Sequence, residues 1–271
     1  MEFEGRDAAE GAFTAPDLGD DGDVEGADAG EGDERDAVHG AQDLRAWQQV
    51  IDTWRSCHWW GGGGAGSIVG MENAQLEVAG NAALIVVDVQ KGFEEEFWGR
   101  RNNPDAEGNI AALIDAWQAS GRPVVFVRHD SPADSRSPLR VGHAGNAFKD
   151  VVEERRGKGS GPELLVTKSV NSAFYGEPDL DAWLKGAGVR QIVIAGIQTN
   201  MCNETTARMG GNLGYEVLFP LDAMHTFDLA GPFGWTASAE ELSRATAVSL
   251  HGGRFAKVVT TAEVLLGAGA V

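Results

Sequence analysis

From residue 80 onward the chain alternates two kinds of hydrophobic pattern. Short, nearly unbroken apolar runs occupy residues 82–89 (AALIVVDV), 123–129 (PVVFVRH), 163–168 (ELLVTK), 190–196 (RQIVIAG), 215–222 (YEVLFPLD) and 255–260 (FAKVVT). Between them, apolar residues recur every three or four positions. In 106–120, Ile110, Leu113, Ile114 and Trp117 form one stripe that stops at Gly121. Similar segments lie near 178–188, from about Met201 to Leu213, and near 238–251. Period three to four predicts amphipathic helices, and short runs apolar on both faces predict buried strands. Strands of that kind separated by helices imply a mostly parallel open sheet covered on both sides. The expected fold is therefore α/β, a Rossmann-like three-layer α/β/α sandwich, over residues 76–271.

Upstream the pattern fails. Residues 1–44 carry 15 of the 41 acidic side chains and 2 of the 22 basic ones, and so account for −13 of the net charge of −19. Such a segment cannot bury enough apolar surface to offset its ordering entropy. Residues 45–60 have Trp47, Val50, Ile51 and Trp54 at helical spacing, but lead into GGGGAGS, a linker composition. Residues 1–75 are expected to form a disordered acidic tail and glycine-rich linker, with Met71 a candidate biological start.

Charge and cysteine content exclude several classes. An acidic chain without clustered Lys and Arg predicts no nucleic-acid partner. No window has the roughly 18 apolar residues of a membrane span, and the N-terminus lacks a basic and apolar leader pattern. Two cysteines, Cys57 and Cys202, cannot build a disulfide framework. A cytoplasmic protein acting on a small molecule, without membrane or nucleic-acid partners, is the expectation.

In open parallel sheets, ligands collect beyond the carboxyl ends of the strands. Three residues of chemical interest fall there: Asp88 near the end of LIVVDV, Lys168 directly after ELLVT, and Cys202 a short turn after IVIAG. Each alone has a plainer explanation, as a loop cap, a surface charge or a small core residue. Together they suggest a site. A thiol of ordinary pKa roughly 8.5 shifts toward thiolate at a helix N-terminus beside a cation. Lys168 would supply that cation and Asp88 the general base, giving a nucleophile for carbonyl attack. Backbone amides of the turn before Cys202 would receive the oxyanion.

The stretches LIVVDVQKGF, VTKSVNSAFYG and VIAGIQTNMCNETTARMGGNLGYEVLFPLDA resemble the three signature regions of the isochorismatase-like cysteine hydrolases, a superfamily that includes nicotinamidase-related amidohydrolases. The resemblance spans about residues 80–260. It implies a Cys202, Asp88 and Lys168 triad, a cis peptide between Ile197 and Gln198, and an oxyanion hole from the amides of Gln198 and Cys202. Gln90, Phe93, Trp98, His129 and Phe174 match positions near the substrate pocket. The implied reaction is cleavage of an amide or related C–N bond through a thioester acyl-enzyme, without a cofactor, in a homo-oligomer, dimer or tetramer.

One departure from nicotinamidases concerns their metal ligands. This chain has His129, Asp130 and His143 in that region, without the nicotinamidase spacing. No metal site is expected. Arg136 and Arg140 are read as solvated, and Asp222, His225 and Asp228 as pocket-adjacent without a catalytic part. Two alternatives stay open: vinyl-ether hydrolysis of the isochorismatase type by Asp88 acid catalysis, and a non-catalytic thiol sensor on the same fold.

Overall fold

The computed structural model describes residues 76–270. The acidic tail and linker expected over 1–75, including Cys57, lie outside the described residues. A seven-stranded sheet organises the rest, built on β1 (Ala83–Val87), β2 (Val124–His129), β3 (Glu163–Lys168), β4 (Gln191–Ile197), β5 (Glu216–Pro220), β6 (Met224–His225) and β9 (Lys257–Val259). The strand order is β3-β2-β1-β4-β5-β9, with β6 paired to the end of β4. Every pairing in this sheet is parallel. A separate antiparallel ribbon joins β7 (Leu229–Ala230) and β8 (Thr236–Ala237). The helices are α1 (Ala106–Ala119), α2 (Asp150–Glu153), α3 (Leu180–Gly186), α4 (Glu204–Asn212), α5 (Ala239–Gly252) and α6 (Thr261–Gly267).

The two-faced burial predicted for the strands is visible along β1. Leu84 and Val86 pack with Ile110, Leu113, Ile114 and Trp117 of α1 and Val264 of α6. Ala83, Ile85 and Val87 point the other way, toward Leu180 and Leu184 of α3, Ala207 of α4 and Leu250 of α5. Alternation with period two thus feeds two cores from one strand. Each large side chain so buried contributes roughly 1.5–3 kcal/mol. Trp117 also donates its indole N–H to the Ala82 carbonyl at 2.8 Å, so its polar atom is satisfied inside the core.

Three expected boundaries shift. Residues 221–222 leave β5 for a 3-10 turn over Leu221–Ala223, and the 201–213 helix begins instead as a π-helical turn, Thr199–Asn203, before α4. Asp88 is not part of β1. The strand ends at Val87 and Asp88 takes a φ of 53°, a left-handed conformation that aspartate tolerates better than most residues. The last helix, α6, is absent from the sequence reading. Its signal was present: Thr260 and Glu263 form a reciprocal capping box at its start.

The sheet order reverses between β1 and β4, since the chain leaves β1 toward β2 and β3 and returns on the other side. That reversal opens a crevice at the carboxyl ends of those strands. Glycine is required beside it. Gly196 has a φ of 134°, and a Cβ there would overlap the Val87 carbonyl oxygen.

Candidate active site

Asp88, Lys168 and Cys202 arrive in the crevice from three directions. Asp88 follows β1, Lys168 closes β3, and Cys202 lies within the π-helical turn after β4. Lys168 starts two strands away from β1, in register with His129 of β2, and its long side chain spans the gap. The ammonium donates to Asp88 Oδ2 at 2.6 Å, to His129 Nδ1 at 3.2 Å and to Cys202 Sγ at 3.4 Å. Its three N–H bonds therefore meet an oxygen, a nitrogen and a sulfur. Asp88 and Lys168 side chains are both fully shielded from solvent, so the pair is a buried salt bridge.

One atom of this cluster is left over. Asp88 Oδ1 is buried without a hydrogen-bond partner. An unpaired carboxylate oxygen in a dry site is costly unless something polar arrives, and a proton or substrate N–H would satisfy it.

The electrostatics run against the expected shift of Cys202 toward thiolate. Burial pushes the Cys202 thiol well above its ordinary range, the Asp88 carboxylate adds to that, and Lys168 opposes it without prevailing. For Lys168, burial acts to lower the ammonium, but the Coulombic pull of Asp88 and Cys202 outweighs it and holds the pKa raised. The resting site is an ammonium, a carboxylate and a protonated thiol. Cys202 sits in a π-helical turn before α4, and there burial and the Asp88 charge outweigh the help from Lys168.

His129 is half-buried, and its pKa is lowered by burial first and then by the Lys168 charge. Asp88, His129 and Cys202 each bring a ligand-type atom within 4.8 Å of the others. The cation already inside that trio is the Lys168 ammonium. The triple considered from sequence, His129, Asp130 and His143, does not assemble: Asp130 pairs with Arg128 at 2.7 Å, and His143 Nδ1 accepts from the Gly145 amide.

The other expected pocket residues divide. Phe93 and Trp98 meet with tilted rings at 4.9 Å, and both stack on Phe227, at 6.1 and 5.6 Å between ring centroids. Phe174 instead stacks on Tyr215 at 5.8 Å, and is not part of that aromatic cluster. Gln90 does not line a pocket. It is fully buried, its amide nitrogen donates to the carbonyls of His129 and Asn146, and its oxygen accepts from the His129 amide. A carboxamide committed at both ends is a clamp between the loop after β1 and the end of β2.

The peptide between Ile197 and Gln198 is cis. Immediately after it, the Gln198 carbonyl accepts from the amides of Met201 and Asn203, which winds the turn that carries Cys202. β6 flanks the same peptide, with Ile197 paired to His225, and the Thr226 hydroxyl, which donates to Asn200 Oδ1, lies 3.3 Å from Gln198 Oε1. Phe227, Thr226 and Asn171, whose Oδ1 lies 3.9 Å from Sγ, were missed from sequence. Asp222, His225 and Asp228 take structural positions. Asp222 accepts from the Thr261 amide at 2.7 Å, Asp228 pairs with Arg100 at 2.9 Å, and His225 is sealed inside, 3.6 Å from Glu107. Among the described residues, no helix is long and apolar enough to cross a membrane.

Residues 82–263 match the family model described as Isochorismatase domain. The isochorismatase family protein YrdC of Bacillus subtilis is 34% identical over 183 residues, 68% of this chain and 94% of that protein. Nicotinamidase 3 of Arabidopsis thaliana is 33% identical over 177 residues, 62% of this chain and 80% of its own. A solved isochorismatase-family structure from Chromobacterium violaceum superposes with a TM-score of 0.67 at 36% identity, covering 73% of this chain and all of that one. With strand order, crevice and domain match in agreement, the chain belongs to the isochorismatase family and is a hydrolase.

Proposed function

We propose that this hydrolase cleaves an amide or related C–N bond of a small molecule, with Cys202 as nucleophile, Asp88 as proton acceptor and Lys168 as the charge that ties them. The observation that carries the reading is the buried ammonium shared between the Asp88 carboxylate and the Cys202 sulfur. The likeness to Nicotinamidase 3 supports amide chemistry.

The steps follow from the resting charges. When substrate displaces water, Asp88 takes the Sγ proton on its unpartnered Oδ1, and the sulfur attacks the acyl carbon. Lys168 stays charged and steadies the thiolate as it forms. The amides of Gln198 and Cys202 receive the oxyanion. Asp88 returns its proton to the departing nitrogen, leaving a thioester. Water then attacks, its proton passes to Asp88 and on to sulfur, and the acid is released.

The test is a panel of small amides offered to the full chain and its Cys202→Ala variant, with intact mass read for an acyl adduct. Expected is a loss of at least about a thousand-fold in the variant, and an adduct on Cys202 in the parent. Undiminished turnover in Cys202→Ala refutes nucleophilic catalysis. Release of pyruvate from isochorismate that survives Cys202→Ala but not Asp88→Ala would replace this reading with the vinyl-ether one.

A further inference from the structure

The Lys168 ammonium has no donor to spare, and this constrains His129. Nζ points one N–H at the His129 Nδ1, so Nδ1 must be the unprotonated nitrogen and the ring proton resides on Nε2. The backbone that carries the ring is also held. Gln90 bonds both the amide and the carbonyl of His129, and Asn146 donates to the same carbonyl at 3.0 Å. Nε2 has no protein partner among the described residues and keeps contact with solvent, unlike His225, whose two nitrogens are both sealed. A ring nitrogen of His129 lies within 4.8 Å of Sγ. Around it stand Asp88, Lys168 and Cys202 from the neighbouring elements, with Arg128 on its own strand and Asp130 just beyond it.

We propose that His129 is a substrate-contacting residue: Lys168 fixes it as a neutral imidazole whose outward Nε2–H grips a hydrogen-bond acceptor on the substrate, close to the carbon that sulfur attacks. This rests on Cys202 being the nucleophile, and it narrows the substrate class. The site takes acyl groups bearing a second oxygen or nitrogen acceptor beside the reacting carbon, and discriminates against those with only hydrocarbon there. A second proton on Nδ1 would oppose the Lys168 ammonium, and the lowered pKa of the ring agrees with that.

Two measurements on the full chain, in a Cys57→Ser background, decide it. The first compares alkylation of Cys202 by iodoacetamide, which carries a carbonyl acceptor, with iodoethane, which carries none, normalised to glutathione. The parent is expected to favour iodoacetamide at least about ten-fold more than glutathione does. His129→Gln, whose side-chain N–H reaches outward as Nε2–H does, keeps that preference within about three-fold, whereas His129→Asn and His129→Phe lose about ten-fold. An unchanged preference in His129→Phe overturns the proposal. Rescue by Asn but not Gln also overturns it, because the ring would then serve only as an acceptor for Lys168. The second is nitrogen NMR of histidine-labelled protein, with His129 assigned by its loss in His129→Gln. A neutral ring protonated on Nε2 is expected at about pH 8, above the ordinary imidazole value, and a proton on Nδ1 overturns the proposal even if His129→Asn and His129→Phe fail to fold. A Cys202 inert to both reagents would refute the nucleophile reading instead, while the NMR would still settle the tautomer.

Discussion

Replacing Asp88 with Asn separates two roles that the carboxylate combines. It raises the thiol pKa, and in the proposed mechanism it is the base that takes the thiol proton. The two effects have opposite signs in experiment. A carboxylate and a thiolate at most 4.8 Å apart repel by about 3.5 kcal/mol at an effective dielectric of about 20, equivalent to about 2.5 pKa units. Removing that repulsion leaves Cys202, 3.4 Å away, as the remaining anionic partner for the Lys168 ammonium. The thiolate fraction near neutrality should rise about 300-fold, and the lower nucleophilicity of a more acidic thiol offsets about 15-fold of it. Alkylation of Cys202 by iodoacetamide should therefore quicken about twenty-fold in Asp88→Asn. Amide turnover should fall by about a thousand-fold, because the proton carrier is gone. Alkylation is followed by intact mass in a Cys57→Ser background across pH, with thermal unfolding run beside it to confirm a folded variant. Slower or unchanged alkylation in a folded Asp88→Asn protein would show that the carboxylate does not oppose thiol ionisation, and the electrostatic account of the site would fall.

Lys168→Met should leave Asp88 charged and unpaired in a dry interior, costing about 3–5 kcal/mol and lowering the melting temperature by roughly 10 °C. A calorimetric midpoint within 2 °C of the parent would contradict it, on the order of 1 kcal/mol or less by the same conversion. Gly196→Ala forces a Cβ into the Val87 carbonyl and strains a left-handed backbone, so a loss of about 2–4 kcal/mol is expected in urea unfolding. An unchanged urea midpoint would count against the close approach of β1 and β4. The pKa of His225 is lowered by burial, so the unfolded chain binds a proton more readily than the folded one. Its contribution is complete above the unfolded value near 6.5 and is lost as pH falls from there toward the lower folded value. His225→Phe should flatten the fall in stability over that window, and parallel curves for parent and variant would exclude the buried imidazole as the cause.

The sheet and its covering helices are legible in the sequence because long apolar runs and a helical stripe such as Ile110, Leu113, Ile114 and Trp117 leave few alternative folds. Strand ends are legible for the same reason, so Asp88, Lys168 and Cys202 could be assigned to one rim. What depends on atoms across the crevice is not legible. Burial set the thiol pKa, and burial at Cys202 comes from the packing of several distant segments. Gln90 reads as a pocket residue next to Asp88, yet its carboxamide turns inward because the backbone of His129 and Asn146 meets it there. Phe227 is invisible as a partner of Phe93 and Trp98 because 134 and 129 positions of chain separate them. Short strands such as β6, two residues long, carry no period to detect.

The outermost position of β3 has one more consequence. The amine that holds the thiol and carboxylate together hangs from the last residue of a rim strand, which has β2 on one side and, on the other, only the two-bond bridge between Thr167 and Glu177. Fraying of that rim on warming would withdraw the amine while the two cores remain packed. Heat should silence the enzyme several degrees before it melts, and tightening the 167–177 bridge should close that interval.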